Sequence, residues 1–303
     1  MTASDTDTDS VGDAVHTTPT VGTSDVLVTA ATGTVGRHVV EYLLDGGATV
    51  RAGTRTPERA SLPDGAHPTA FDYERPETWG AALSETDGVF LVLPPGTTGA
   101  DRVAAFAEAA DRVGVDRIVF LSTLGADRLP ILPHRRVERR LEPLSATTTF
   151  LRASFFLQNL TEVHGEEIRA TGEILVPAGD GRTSFVDARD VAAVAAAALT
   201  DETPPPGALD LTGSAALTYH EVAAVCSEAT GRDIDYRAPS ALTFLRQSVP
   251  KRGLGFSLTM VGIYTTARLG LAGRVTDTVA EILGRPPRTV REFAADNADA
   301  WQA

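Results

Sequence analysis

The sequence predicts an α/β protein: a doubly wound parallel Rossmann sheet with a smaller, mixed C-terminal region that caps the substrate. Short apolar runs rich in Val and Ile alternate with amphipathic helical patterns through residues 25–153, the rhythm of βαβ units whose sheet is covered on both faces. The first run, VLVTAATGTVG from Val26 to Gly36, passes from a strand through a glycine turn into the amphipathic helix RHVVEYLL. A dinucleotide diphosphate would meet free helix-start amides at such a junction.

Residues 1–24 are rich in Thr, Ser and Asp, with neither a basic start nor an apolar stretch. They read as a disordered acidic tail rather than a secretory signal. The Rossmann core then spans 25–153. Its opening strand, DVLVTA, leads to a cradle made by Thr32, Gly33, Thr34, Val35 and Gly36. Gly33 lets the backbone approach a diphosphate, and Gly36 lets the helix pack tightly on its strand. Ala30 stands where the first glycine of a G-x-x-G-x-x-G cradle is expected, which narrows the backbone choices of the tight turn.

The second strand, ATVRAGT, ends beside Arg55, where a Rossmann fold meets the adenosine ribose. A guanidinium fork there, with Arg59 nearby, suits a 2′-phosphate and favours NADP(H) over NAD(H); the alternative is a solvated loop arginine. Asp72 follows the third apolar segment, HPTAF. It reads equally as an acceptor for the adenine amine and as a turn or helix cap before ERPETW. The fourth strand, GVFLVLP, brings Leu93, Pro94 and Pro95 to the cofactor edge. Helix GADRVAAFAEAADRVG, strand DRIVFLS ending at Ser122, helix PHRRVERRLEPL and strand TTTFLR complete this half.

From 154 to 303 the rhythm changes to the smaller capping part. FFLQNLTEVHGEEIRA reads as one helix, GEILVP as a short strand and FVDARDVAAVAAAAL as a capped, alanine-rich helix. Pro204, Pro205 and Pro206 mark a surface loop. The strand ALDLTG, a helix from Tyr219, the strand DIDYRA and several helices follow, with residues 183–212 expected to return to the Rossmann core. The apolar stretch GLGFSLTMVGIYTTARLGLAG contains Ser257, Thr265, Thr266 and Arg268, so a buried or cap-forming helix suits it better than a membrane span.

Composition narrows the partners. The 303 residues are 43% hydrophobic and carry a formal net charge of -13 with a pI near 4.9. Such a chain repels nucleic acid and anionic membranes; a small-molecule substrate remains, and the sequence leaves open a homodimer or a regulatory protein partner. Lys251 is the only lysine among 27 basic residues, set against 40 acidic ones. An acidic, lysine-poor surface suits a salt-loving organism, with codon bias toward arginine as the alternative. Cys226, the only cysteine, excludes an intramolecular disulfide and reads as a core thiol in a cytoplasmic protein.

Several segments together resemble the NmrA-like, atypical members of the short-chain dehydrogenase/reductase superfamily. These are VTAATGTVG, RIVFLSTLGA (117–126), LRASFFLQNL (151–160), FVDARDVA (185–192) and LGRPPRTVREF (283–293). The likeness covers about residues 25–295. It implies diphosphate contacts from Gly33, Thr34, Val35 and Gly36, a 2′-phosphate contact from Arg55, and Ser122 beside the nicotinamide. Phe155, Phe156 and Asn159 would help form the substrate pocket, while Asp187 and Asp190 look like helix-capping or interdomain residues.

The superfamily's usual Tyr-x-x-x-Lys pair occurs nowhere in the chain. About twelve residues beyond Ser122, the matching slot holds His134, followed by Glu138. Some relatives carry a lysine there, so His134 becomes the candidate acid and Ser122 the second candidate catalytic residue. Oxidising an alcohol needs a strong, well-placed base. Reducing a quinone or similar conjugated carbonyl demands less, because the hydroquinone formed is fairly acidic. The leading reading is therefore an NADPH-dependent reductase of such acceptors. The alternative is a non-catalytic NADP(H)-binding redox sensor, which the missing pair also fits; a nucleotide-sugar epimerase is weaker still. Each candidate has a plainer reading: a helix-start histidine kept neutral by Arg135 and Arg136, and a strand-end hydroxyl that satisfies backbone groups. His164, beside Glu166 and Glu167, reads as part of a solvated helix face, and no histidine spacing predicts a metal site.

Overall fold

Unbroken apolar runs need cover on both sides, and the strands of this chain find it by lying parallel in the middle of a three-layer core. The computed structural model describes residues 24–94, 99–203 and 205–302. The predicted tail up to residue 23, Pro95 and Pro204 lie outside the described residues. In chain order the core elements are β1 (Asp25–Val28), α1 (Gly36–Asp45), β2 (Thr49–Thr54), β3 (His67–Ala70), α2 (Trp79–Leu83), β4 (Gly88–Val92), α3 (Gly99–Arg112), β5 (Arg117–Thr123), α4 (Pro133–Leu141) and β6 (Thr147–Ala153). There follow α5 (Asn159–Glu162), α6 (Gly165–Thr171), β7 (Glu173–Leu175), β8 (Thr183–Ser184), α7 (Ala188–Thr200) and β9 (Gly207–Leu211). The chain ends with β10 (Ala216–Leu217), α8 (Tyr219–Thr230), β11 (Asp235–Arg237), α9 (Ala241–Arg252), α10 (Leu254–Arg268), α11 (Thr278–Leu283) and α12 (Val290–Asp296).

Seven strands form the main sheet in the order β3-β2-β1-β4-β5-β6-β9, every neighbouring pair parallel. The order reverses between β1 and β4. This is the doubly wound α/β architecture, and ligands of such sheets bind beyond the carboxyl ends of the strands at that reversal. One face is packed by α1 and α7, which touch each other, with Val39, Val40, Leu43, Val191, Ala195 and Leu199 buried. The other is packed by α3 and α4, through Val103, Phe106, Val137 and Leu141. β9 lies beside β6, so the last strand of the sheet comes from residues 207–211.

A second core gathers α5, α6, α8, α10 and α12 around Phe185, Tyr219, Tyr264, Phe293 and Trp301. Two small sheets, β10-β8 and β11-β7, brace it. Helix starts there are readable in the residues: Thr218 with Glu221 and Thr289 with Glu292 form capping boxes at α8 and α12. Cys226 is buried in this core, and burial pushes its thiol up to about 12. Two sequence expectations are corrected here. The stretch 155–170 is not one helix. Phe155 and Leu157 exchange main-chain hydrogen bonds with Val186, which keeps this stretch out of a helix until α5 begins at Asn159, and the chain breaks again at His164 before α6. His164 itself is buried, with its Nε2 2.6 Å from the Tyr264 hydroxyl. Desolvation, aided by the nearby Arg252 charge, drives its pKa down to about 3, so it is a neutral core histidine and not part of a solvated face. No helix among the described residues is long and apolar enough to cross a membrane.

Candidate nucleotide and acceptor site

The point where the chain leaves β1 is fixed by one buried hydroxyl. Thr29 Oγ1 donates to the Phe90 carbonyl at 2.8 Å and accepts from the Val92 amide at 3.2 Å and from the Tyr73 hydroxyl at 2.9 Å. The backbone then turns through a left-handed residue, Ala30, at φ 51°. That conformation costs alanine about 1 kcal/mol that glycine would not lose. The strain brings the Ala30 carbonyl back under the loop, where it accepts the Gly33 amide at 2.8 Å. It also lies so close to α1 that a Cβ on Gly36 would sit 2.1 Å from it. Only glycine fits there. Helix α1 starts with no side-chain cap at Val35 and no acid in its first turn, leaving its leading amides for an anion. Thr32, Gly33, Thr34, Val35 and Gly36 thus form a backbone cradle with the shape and polarity of a diphosphate site.

The neighbouring strand ends carry the other residues expected to meet a dinucleotide. Arg55 follows β2, is exposed, and has no acidic partner among the described residues; Arg59 is exposed just beyond it. Asp72, past β3, is a turn residue in this structure. Its Oδ1 accepts the Glu74 amide at 3.0 Å, and its carbonyl accepts the Trp79 indole at 3.0 Å. Leu93, half-buried, and Pro94, exposed, follow β4 at the reversal point. A cavity of about 800 Å³ lies between the Gly179–Arg182 turn and Arg268–Gly273. It touches none of these residues, so strand-end chemistry and not cavity size marks the ligand edge.

Ser122, near the end of β5, does not pair with His134. Its hydroxyl is buried and donates to Glu138 Oε1 at 2.7 Å. Glu138 has a fully buried side chain, and it also accepts Arg152 Nε at 3.0 Å, Arg152 Nη2 at 2.8 Å and Arg135 Nη1 at 3.0 Å. Burial acts to raise the Glu138 pKa, but the hydrogen bonds from Arg152 and Ser122, the charge of Arg152 and the hydrogen bond from Arg135 outweigh it, so the carboxyl is held below its ordinary value. The Ser122 proton is therefore directed to a carboxylate and not toward an acceptor, and its hydrogen bond is not to backbone groups. His134 packs its ring near Phe120, with centroids 6.2 Å apart. Its pKa is lowered by desolvation, only partly opposed by Glu138. Burial, and not the charge of the flanking Arg135 and Arg136, keeps this ring neutral. A histidine held neutral is a poor acid near pH 7.

The turn after β6 carries the residues expected to border a substrate. Phe155 meets Phe185 edge-on with centroids 5.8 Å apart and lies 5.9 Å from Tyr264. Phe156 bridges to Val186, and Asn159 opens α5. Gln158 fixes this turn: its Nε2 donates to Asp187 at 2.8 Å while its Oε1 accepts the Ala188 amide at 2.9 Å. Asp187 caps α7 through the Arg189 amide. Burial raises the Asp187 pKa, yet hydrogen bonds from Arg189 and Gln158 bring it below normal. Asp190, also buried, clamps the 285–288 loop by accepting Arg285 at 2.8 Å and the Arg288 amide at 2.6 Å. Glu138, Arg152, Gln158 and Glu162 were not singled out from sequence as site residues. A signal existed for Glu138, because Val137 and Leu141 mark the buried stripe of α4 and Glu138 adjoins it.

A doubly wound parallel sheet with a glycine-gated cradle at its reversal and no Tyr-x-x-x-Lys pair defines an atypical short-chain dehydrogenase/reductase with an NAD(P)-binding Rossmann fold. The chain belongs to the NmrA-like family, whose model matches residues 22–293. It is 35% identical to an NAD(P)H azoreductase of Xenophilus azovorans, over 92% of this chain and 99% of that one. The fold matches the Citrobacter sp. triphenylmethane reductase complexed with NADP(H) at a TM-score of 0.79 and 24% identity, covering 91% of this chain and 99% of that one. It also matches an Escherichia coli NADPH-dependent quinone oxidoreductase complexed with NADPH, at a TM-score of 0.78 and 24% identity over 89% and 99% of the two chains.

Proposed function

We propose that this NAD(P)H-dependent oxidoreductase uses NADPH to reduce a quinone-like or other conjugated carbonyl acceptor. The observation that carries the reading is the close packing of Gly36 on the Ala30 carbonyl at a helix start with no side-chain cap, with Arg55, which has no acidic partner among the described residues, at the next strand end. When bound, the nicotinamide supplies a hydride. The residues of the chain then position and enclose: the cradle holds the diphosphate, Arg55 takes the 2′-phosphate, and Phe155, Phe156 and Asn159 border the acceptor. Leu93 and Pro94 flank the cofactor, and the free edge of Asp72 lies toward the adenine.

The acceptor class follows from what the site does not provide. The Ser122 hydroxyl donates its hydrogen bond to Glu138 and His134 is kept neutral, so neither supplies a ready acid. An acceptor whose reduced form is itself acidic, such as a hydroquinone, can finish its protonation from water, and positioning provides most of the rate. The relative named an NAD(P)H azoreductase supports an acceptor with a conjugated group, of which a quinone is another kind. Purified protein is expected to oxidise NADPH steadily with simple quinones. NADPH binding without turnover on any of them would instead favour the sensor. Arg55→Glu is expected to weaken NADPH binding by roughly ten- to a hundredfold, the scale of a lost charge-assisted bidentate contact, with NADH binding nearly unchanged. Fluorescence titration of both nucleotides measures this, and equal effects on the two would remove the 2′-phosphate assignment.

A further inference from the structure

One carboxylate sits where its charge opposes the proposed ligand. Glu162, at the end of α5, accepts the Thr34 hydroxyl at 2.5 Å through Oε2 and Arg37 Nη2 at 3.1 Å through Oε1. Thr34 belongs to the cradle, and Arg37 lies in the first turn of α1. The carboxylate therefore holds two groups that would otherwise face an anion at that helix start. The next residues tie α5 to the capping helices: the Val163 carbonyl accepts Arg252 of α9, and His164 bonds Tyr264 of α10. At the other end of α5, buried Gln158 anchors the turn to the start of α7. The helix thus offers Glu162 from a fixed base, and its side chain can swing away without unmaking the fold.

We propose that Glu162 is an anionic placeholder for a cofactor phosphate, which the dinucleotide diphosphate displaces from Thr34 and Arg37. This inference rests on the NADPH reading above. Two phosphate charges arriving beside a carboxylate repel it, while Arg37 gains by exchanging one anion for a doubly charged one. Displacement breaks the contact between the cradle and α5, which is then held by its bonds to α7, α9 and α10.

Calorimetric titration of NADPH and of adenosine into wild type and Glu162→Gln tests this. The variant keeps the size of the side chain and removes its charge. Its NADPH affinity is expected to rise about three- to tenfold at low ionic strength, with the gain shrinking in concentrated salt as screening takes over. Adenosine affinity should not change. Hydrogen exchange supplies a second readout that requires no variant: saturating NADPH should speed exchange of the amides from Thr161 to His164 in wild type. NADPH binding that is equal or weaker in Glu162→Gln, or exchange slowed by NADPH, overturns the placeholder while leaving the cofactor reading intact. No NADPH binding by either protein overturns both.

Discussion

Gly36→Ala should bind NADPH on the order of a hundredfold more weakly than wild type, because a Cβ there would lie 2.1 Å from the Ala30 carbonyl oxygen and 2.8 Å from its carbon. Both are backbone atoms, so no side chain can rotate aside. Either the helix start or the Ala30 turn must move, and overpacking of this sort costs about 1–3 kcal/mol, which sets the scale of the lost affinity. Gly33 is less confined, its added Cβ meeting the same oxygen at 3.2 Å, so Gly33→Ala should lose less. Titration calorimetry on the two variants gives the ranking. Near-wild-type NADPH binding by Gly36→Ala would show that the diphosphate does not lie along this loop.

The second large effect is expected at Glu138. In Glu138→Gln, Arg152 and Arg135 lose the carboxylate they share, and their side chains are only 12% and 20% exposed. Arg135 keeps Glu142 and, among the described residues, Arg152 keeps only Asp127 at 3.8 Å as an ion-pair partner, so the cost lies near the low end of the about 3–5 kcal/mol of a broken buried pair, or a melting temperature lower by roughly 6 °C in a chain of this size. Acid adds a diagnostic. A carboxyl held below its unfolded-state pKa stabilises the fold fully above about pH 4.3 and loses that contribution as pH falls through the lower folded value. Wild type should therefore lose melting temperature on acidification below about pH 4, and Glu138→Gln should show a flatter profile there. Calorimetric scans from pH 7 to 3 decide it. An unchanged melting temperature at neutral pH would mean that the arginines find water in the variant.

Much of the architecture was legible because it is written in local periodicity. The apolar runs of β1, β4, β5 and β6, the stripes of α1 and α3, and the cap residues Asp187, Thr218 and Thr289 each announce their element within a few neighbours. The cradle was legible for the same reason, being one unbroken segment. What escaped depends on partners far away in the chain. Nothing near His164 says that Tyr264, a hundred residues on, will bury it. The charged run PHRRVERRL conceals a fully buried Glu138, whose burial is tolerable only because Arg152 arrives from the adjacent strand. The break in the 155–170 stretch reflects Val186, which competes for the backbone of Phe155 and Leu157. The left-handed Ala30 shows the reverse case, in which tertiary packing imposes a conformation that local preference disfavours.

The placement of β9 beside β6 shapes how the molecule can come into being. During synthesis the β6 edge stays bare until residue 211 has emerged, and by then much of the intervening polypeptide has already been made. An open strand edge of that kind invites pairing with other chains. The nascent protein therefore passes through a vulnerable interval, and a fragment ending near residue 153 would keep that exposed edge permanently.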